Sequence, residues 1–369
     1  MSNPFEHLIP SYIQQFESYI PSKPDEELKR IFGIERLFRL NNNENFKGPS
    51  TKVKEFMQHV NLGLIPVYPS GDSFNLRYAL ADKFGKSPEQ FLVGNGSNEV
   101  ITCVLKAFCE QGDNIVTTNQ TYAVYEWVAE FSGIQARLVP LDEKMAFDPQ
   151  RILDAIDSHT KIIFICNPNN PTGTYWNRQV MTDFLEKVNN RCIVVIDEAY
   201  FEYVESDDYP DGMQLMEQFP NVVVFRTFSK MYALASLRIG YLAASMEVVH
   251  LIRKTYVVYS VNSMAQMAAQ LAISDDEQLI KETRQMVRNG KKILSETCSR
   301  LDLYHTEGEG NFMMIKVPIP DTLLYKKLIR KGYVIRTMTG FRFPEWIRVS
   351  ILPEKIMHEF CESLEQVLS

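Results

Sequence analysis

Short apolar runs recur through the middle of the chain, and a polar turn and a helix-like segment follow several of them. The runs are FLVG (91–94), NIVTT (114–118), KIIFIC (161–166), CIVVID (192–197) and NVVVFRT (221–227). Apolar runs without alternation are typical of strands that are covered on both faces. With helices expected at 97–110 and 122–132, this pattern predicts a doubly wound, mostly parallel α/β sheet.

The two ends of the chain have a different pattern. PDEELKRIF (24–32) predicts a helix, because proline and acidic residues are favoured in a first turn. After about residue 275, a long polar helix leads to shorter strands at 312–317 and 346–351 and then to a final helix. We therefore expect a large domain of residues 61–275 and a smaller α+β domain made of 1–60 and 276–369.

Composition narrows the class of protein. The net charge is −7 with both signs interspersed, so no basic face for nucleic acid is expected. No apolar stretch is long enough to span a membrane, and the N-terminus lacks the features of a signal peptide. Six scattered cysteines are expected to be thiols in a reducing compartment, and the histidines form no ligand-spaced cluster for a metal. A cytoplasmic enzyme or binding protein is the expected class.

Polar groups collect where the predicted strands end. In open α/β sheets, ligands bind beyond the carboxyl ends of the strands. The polar segments that follow four of the runs are NGSNE (95–99), NPNNPTG (167–173), Asp197 with Glu198, and Ser229 with Lys230. We therefore expect an amide, a carboxylate, an amine and several backbone N–H groups at one edge of the sheet.

These groups favour one cofactor chemistry. A partly desolvated lysine can lose its proton and form a Schiff base with an aldehyde, and a nearby carboxylate can keep a pyridine nitrogen protonated. Pyridoxal 5'-phosphate (PLP) needs this pair, here Lys230 and Asp197. Its phosphate would suit the predicted helix start at 96–98, with Arg238 adding charge.

Two alternatives to a PLP site stay open. Lys230 could simply reach solvent in a strand-to-helix loop, which is the ordinary interpretation of an isolated Ser-Lys pair. Gly94 and Gly96 could belong to a dinucleotide site, but the segment lacks the third glycine and the acidic partner of that fingerprint.

A series of ordered motifs covers nearly the whole chain from about Ile13. They are LNNNENFKGPS (40–50), YPSGDSFNLRYALADKFG (68–85), GNGSNEVI (94–101), TYAVY (121–125), CNPNNPTG (166–173), DEAYFEY (197–203), RTFSKMYALASLRIGY (226–241), YSVNSMAQ (259–266), GNF (310–312) and WIRVSI (346–351). With these motifs the chain resembles the fold-type I PLP-dependent aminotransferases, and among them the histidinol-phosphate aminotransferases. The resemblance implies a homodimer that moves an amino group between L-histidinol phosphate and 2-oxoglutarate by a ping-pong mechanism.

The resemblance also implies roles for individual residues. Lys230 would carry the internal aldimine and shuttle a proton, and Asp197 would pair with the pyridinium nitrogen. The other implied cofactor contacts are Tyr200 and Asn170 at the phenolic oxygen, Tyr122 on the ring face, Gly96, Ser97, Asn98, Ser229 and Arg238 at the phosphate, and Tyr68 from the other subunit. The implied substrate-binding residues are Tyr19 beside the substrate ring, Asn43, and Arg336 and Arg348 at the anionic end of the substrates.

Several of these residues also have structural interpretations. Tyr122 and Tyr68 could be ordinary half-buried aromatics, Arg348 could form a structural ion pair, and Asn170 could cap a turn. The sequence also departs from the usual motifs of the family at four places. They are Phe46 in place of proline, Asn98 in place of an acid, the altered small residues Tyr232-Ala233 and Ser236 after the lysine, and Leu352 in place of glycine.

Other functions are possible on the same motifs. An aromatic amino-acid aminotransferase, a phosphothreonine decarboxylase or an amino-acid oxidase would use the same cofactor. A PLP-binding regulator or an inactive paralogue is the non-enzymatic alternative. An inactive paralogue would be expected to lose Lys230 or Asp197, and both are present.

Overall fold

The computed structural model describes residues 4–14, 16, 23–274 and 276–369. The strands are β1 (Phe38–Leu40), β2 (Phe91–Gly94), β3 (Asn114–Thr118), β4 (Gln135–Val139), β5 (Thr160–Cys166), β6 (Ile193–Asp197), β7 (Val222–Thr227), β8 (Gly240–Ala244), β9 (Phe312–Lys316), β10 (Tyr333–Thr337) and β11 (Trp346–Ser350). The α-helices are α1 (Ser11–Gln14), α2 (Asp25–Phe32), α3 (Thr51–Gln58), α4 (Phe74–Phe84), α5 (Ser97–Phe108), α6 (Val124–Phe131), α7 (Pro149–Asp154), α8 (Arg178–Val188), α9 (Gly212–Gln218), α10 (Met246–Arg253), α11 (Ser263–Ile273), α12 (Glu277–Arg300), α13 (Asp321–Ile329) and α14 (Glu354–Leu368).

The larger sheet has seven strands in the order β2-β8-β7-β6-β5-β3-β4. All neighbouring pairs are parallel except those of β8, which runs antiparallel to β2 and β7. Strands β5, β6 and β7 occupy the middle, and nearly all of their side chains are buried. Burying each of their valine and isoleucine side chains contributes about 1.5–3 kcal/mol. The predicted α/β class with a mostly parallel sheet is confirmed.

A second sheet combines the two ends of the chain. Its order is β1-β10-β11-β9, with β1 parallel to β10 and the other pairs antiparallel. Helix α13 packs on β10, and α14 packs on both α12 and α13. β1 thus joins a sheet whose other strands lie beyond residue 311. The domain boundaries at 61 and 275 stay a prediction.

The five predicted strands of the large sheet occur within one residue of their expected bounds, whereas β1, β4, β8 and β10 were not predicted. All six cysteines are free, as expected from their scattered positions. Among the described residues, no helix combines the length and the apolar content that crossing a bilayer requires.

Candidate active site

A cavity of about 120 Å³ lies at the carboxyl ends of β5, β6 and β7. Its lining consists of Ser97, Tyr122, Cys166, Asn170, Asp197, Ala199, Tyr200, Thr227, Ser229, Lys230 and Arg238. Eight of these are predicted cofactor residues, and three, Cys166, Ala199 and Thr227, were not predicted. The structure therefore brings the polar strand ends together at one edge of the sheet, as the parallel topology requires.

Lys230 faces this cavity from the turn after β7 and is half-buried. Its Nζ donates a hydrogen bond to the carbonyl oxygen of Asn42 at 2.7 Å. Burial, followed by the positive charge of Arg348, lowers the pKa of the Lys230 amine to about 8. A larger share of the amine is therefore neutral at physiological pH than for an ordinary lysine, and the neutral amine is the form that attacks an aldehyde.

Asp197 is the last residue of β6 and is buried. Its Oδ1 accepts the backbone N–H of Ala199 at 3.1 Å, and its Oδ2 accepts the hydroxyl of Tyr125 at 2.5 Å. Burial raises the pKa of this carboxyl to about 6, while both hydrogen bonds and the charge of Lys230 oppose that rise. Tyr125 was not predicted, although it lies in the first turn of α6 and only three residues after Tyr122, which precedes the helix.

The hydroxyl of Tyr200 is held from outside the cavity. It accepts a hydrogen bond from Nδ2 of Asn43 at 2.9 Å, and Oδ1 of Asn43 accepts from the hydroxyl of Ser350 at 2.9 Å. Burial raises the pKa of Tyr200 to about 12, so its O–H stays protonated and can donate to a ligand oxygen. The amide of Asn43, which was predicted to bind substrate, is thus occupied by two protein partners.

Three successive residues, Asn41, Asn42 and Asn43, each contact a different site residue. The carbonyl of Asn41 accepts from Arg348 at 2.7 Å, that of Asn42 accepts from Lys230, and the side chain of Asn43 contacts Tyr200. This Asn41–Asn43 segment follows β1 directly. The smaller sheet therefore delivers a backbone segment to the edge of the larger one.

The glycine-rich turn before α5 lies against Arg238. Gly96 has a φ of +78°, and a Cβ at this position would lie only 2.6 Å from a guanidinium nitrogen of Arg238. That guanidinium donates to the hydroxyl of Ser229 at 3.4 Å, and Ser97 begins the helix. A helix N-terminus, a guanidinium and a hydroxyl are the donors that a phosphate needs, so these residues fit the phosphate of PLP.

Tyr122 and Asn98 also meet at this end of the cavity. The Tyr122 hydroxyl donates to Oδ1 of Asn98 at 3.1 Å, and burial raises the pKa of this tyrosine, with the charge of Asp197 adding to the rise. Tyr122 thus has a directed polar contact besides its ring packing, while Asn98 itself is exposed.

Arg348 is buried in β11. Its guanidinium donates to the side-chain oxygen of Asn170 and to Asn41, while its Nε has no partner among the described residues. Burial, with the charge of Arg336 contributing, lowers the pKa of Arg348 to about 10. No carboxylate in the described part of the chain forms an ion pair with it, so the structural ion pair is not supported. A buried cation with a spare donor suits an anionic ligand.

Arg336 lies on β10 opposite Arg348 and lines a second cavity, of about 420 Å³. The apolar part of that cavity is formed by Ala123, Val124, Trp127, Val128, Phe131 and Phe341. The Arg336 guanidinium lies 5.4 Å from the centre of the Phe341 ring. Tyr122 lines both cavities.

Two predicted residues lie away from the cavity or outside the described structure. Tyr68 is 82% exposed, and its ring centre lies 5.2 Å from that of Tyr259. Tyr19 lies outside the described residues.

Comparisons with known proteins agree with this geometry. Residues 35–364 match the family model described as aminotransferase class I and II. A histidinol-phosphate aminotransferase 2 of Carboxydothermus hydrogenoformans is 36% identical over 96% of this chain and 98% of its own. A histidinol-phosphate aminotransferase of Halalkalibacterium halodurans is 38% identical over 90% of this chain and 89% of its own.

Among solved structures, a histidinol-phosphate aminotransferase of Sinorhizobium meliloti in complex with pyridoxal-5'-phosphate aligns with a TM-score of 0.86. It covers 98% of this chain and 97% of its own, at 24% identity, so this likeness supports the fold alone. The family model and the two relatives carry the assignment. The chain therefore belongs to the aminotransferase class I and II family, and within it to the histidinol-phosphate aminotransferases.

Proposed function

We propose that this protein transfers the amino group of L-histidinol phosphate to 2-oxoglutarate, using PLP held in the cavity beside Lys230. The observation that carries the proposal is the pairing of an amine of lowered pKa, Lys230, with the buried carboxylate of Asp197 in one cavity. When bound, PLP supplies an electron sink for the carbanion that forms at the substrate Cα.

The residues of the cavity would contact different parts of the cofactor. Lys230 would hold the cofactor through its aldehyde carbon, and its amine would carry the proton that leaves the substrate Cα. Asp197 would hold a proton on the ring nitrogen. Tyr200, whose hydroxyl stays protonated, and Asn170 would donate hydrogen bonds to the phenolic oxygen.

Arg348 and Arg336 would bind the anionic groups of the substrates. Arg348 supports this role through its burial, its unpaired Nε and its place beside Asn170. Arg336 supports it through the larger cavity, whose apolar walls and single cation suit a ring that carries a phosphate. The carboxylate of glutamate would use the same arginines in the other half-reaction.

We also infer that the active form is a homodimer. Exposed apolar side chains are found on two neighbouring segments of the larger-sheet region. They are Leu62, Ile65, Val67 and Tyr68 on one segment, and Val257, Val258 and Tyr259 on the other. The ring contact between Tyr68 and Tyr259 joins these segments, and a second copy of the chain would cover them. The free cysteines support a reducing, cytoplasmic location, which cell fractionation would test.

A single-turnover absorbance measurement tests the reaction and the substrate together. Histidinol phosphate added without oxygen should convert the visible band of the bound cofactor to the pyridoxamine band, and 2-oxoglutarate should restore it. A band that responds to tyrosine or phenylalanine but not to histidinol phosphate would favour the aromatic aminotransferase. A protein that binds no PLP at all would overturn the proposed function.

A further inference from the structure

Tyr125 lies directly behind Asp197 and is held there from several sides. Its side chain is completely buried, and its hydroxyl donates to Oδ2 of Asp197 at 2.5 Å. Its ring stacks on Phe164 at 4.7 Å with an interplanar angle of 8°, and it meets Tyr122 edge-on at 5.5 Å. These ring contacts fix the hydroxyl, because a buried tyrosine has few other positions available in a packed core.

The hydrogen bonds to Asp197 leave room for a ligand. A carboxylate offers about four lone-pair sites, and the described residues use two of them, one on each oxygen, through Tyr125 and the N–H of Ala199. The cavity reaches Asp197, so a further donor can approach the carboxylate from that side. Donors that stay fixed behind the carboxylate favour its charged form, whereas burial favours the neutral form.

We propose that Tyr125 is a positioning residue that keeps Asp197 charged and oriented, and that it thereby controls the protonation of a pyridine nitrogen bound on the cavity side. The inference rests on the proposed function, in which Asp197 meets the ring nitrogen of PLP. Tyr125 itself has no place among the residues that line the cavity. Its hydroxyl would act on Asp197 through the hydrogen bond to Oδ2.

The charged and titratable side chains around Asp197 come from several elements, and each could contribute to a pH profile. They include Lys230 after β7, Cys166 at the end of β5, Tyr200 after β6, Tyr122 just before α6 and Tyr125 in its first turn. Burial raises the pKa of Cys166 to about 12 and of Tyr200 to about 12, so neither changes charge near neutral pH. Lys230 would be bonded to the cofactor in the holoenzyme, which leaves Asp197 and the ring nitrogen as the coupled pair.

The test replaces only the hydroxyl. Tyr125→Phe keeps the ring that stacks on Phe164 and removes the donor to Asp197. Tyr203→Phe is the matched control, because Tyr203 is also buried and its hydroxyl has no partner among the described residues. Both holoenzymes would be loaded with PLP labelled with ¹⁵N in the ring, and the ¹⁵N chemical shift would be followed across pH beside the wild type.

We expect the wild type and Tyr203→Phe to show a protonated ring nitrogen at neutral pH. In Tyr125→Phe, the pH at which the nitrogen loses its proton should fall by about one unit, with roughly tenfold weaker PLP binding to the apoenzyme, since a hydrogen bond to a charged group is lost. Turnover should fall while the KM values change little.

Two results would overturn different claims. If Tyr125→Phe titrates like Tyr203→Phe, the positioning role of Tyr125 is wrong while the proposed function stands. If the wild-type ring nitrogen is already unprotonated at neutral pH, the role of Asp197 in the proposed function is wrong. Should Tyr125→Phe fail to fold, 3-fluorotyrosine at this position keeps the ring and strengthens the donor. The titration must then move to higher pH, and an unchanged titration contradicts the proposal.

Discussion

The two sheets contribute to the site in different ways. The larger sheet places Lys230 and Asp197 at the ends of adjacent buried strands, where both side chains face one small cavity. The smaller sheet contributes Arg348 and Arg336, which lie opposite each other in register. Arg336 lines the larger cavity, whereas Arg348 contacts Asn170, which lines the smaller one. The covalent and proton-transfer groups thus belong to the larger sheet, whereas the candidate anion-binding groups come from the other sheet. The two sets are coupled, because Arg348 contacts Asn170 and its charge helps to lower the pKa of Lys230.

The largest expected effect on turnover comes from a substitution at the larger sheet. Lys230→Ala should abolish the borohydride-stable adduct with PLP and reduce turnover by about 10⁴-fold or more, because the nucleophile and the proton carrier are lost together. Mass spectrometry of proteolytic peptides locates the adduct.

Lys291→Ala is the matched control for that experiment. Burial lowers the pKa of Lys291 to about 8 as well, but its Nζ donates to the carbonyl of Gly308 at 2.5 Å and it does not line the cavity. The adduct should persist in this variant. In the wild-type apoenzyme, capture of PLP should rise with pH and level off above about 8, because the ammonium form, which cannot attack, is lost through the pKa of Lys230. Capture that rises only near the ordinary lysine pKa would contradict this view of Lys230.

A smaller effect should separate the two arginines of the other sheet. Arg348→Gln should retain PLP but lower kcat/KM by roughly 10–100-fold for histidinol phosphate and for glutamate, since a buried charge-assisted contact is lost. Arg336→Gln should lower it by roughly tenfold, and mainly for the phosphate substrate, because Arg336 lines the wider apolar cavity. Steady-state kinetics with both amino donors measures the difference. Equal losses for both donors in both variants would show that the two cavities do not act separately.

The smallest effect on cofactor binding is expected at Tyr68, which belongs to the larger-sheet region but would contact the cofactor bound by the other copy of the chain. Tyr68→Phe should weaken PLP binding only a few-fold, since one of several hydrogen-bond donors to the phosphate is lost. The measured mass should stay at twice the chain mass of 42.6 kDa. A fully active protein with the mass of one chain would contradict the homodimer and the role of Tyr68 across it.

The central strands and the two main site residues could be predicted because one local rule determines both. Continuous β-branched runs must be buried, and the residue that ends such a run must lie at the edge of the sheet. Lys230 and Asp197 follow from that rule. β4 was not predicted because it is an edge strand whose residues are only partly buried. β8 was not predicted because its sequence, GYLAA, is a short run of largely small residues, which forms a strand between two partner strands.

Other parts of the site depend on contacts that no local pattern encodes. The side-chain donor to Asp197, at the end of β6, is Tyr125 in α6. The acceptor for Lys230 is the backbone carbonyl of Asn42, 188 residues away in the sequence. Every residue has a backbone carbonyl, so the residue type does not indicate which carbonyl will accept a hydrogen bond, and only the packed structure reveals it. The spacing of Tyr122 and Tyr125 in TYAVY was a usable signal, but it did not say which carboxylate the second tyrosine would meet.

The Asn41–Asn43 segment has a consequence for how the protein matures on the ribosome. The segment follows β1, and β1 has no partner until β10 is made, since Phe38 pairs with Tyr333. All strands of the seven-stranded sheet precede β10 in the chain, whereas the segment that contacts Lys230, Arg348 and Tyr200 lacks both the strand that pairs with β1 and Arg348 itself until the last strands are made. Closing so long a loop is slow and comes late in folding. Competence to bind and react is therefore acquired near the end of synthesis, when the last strands emerge.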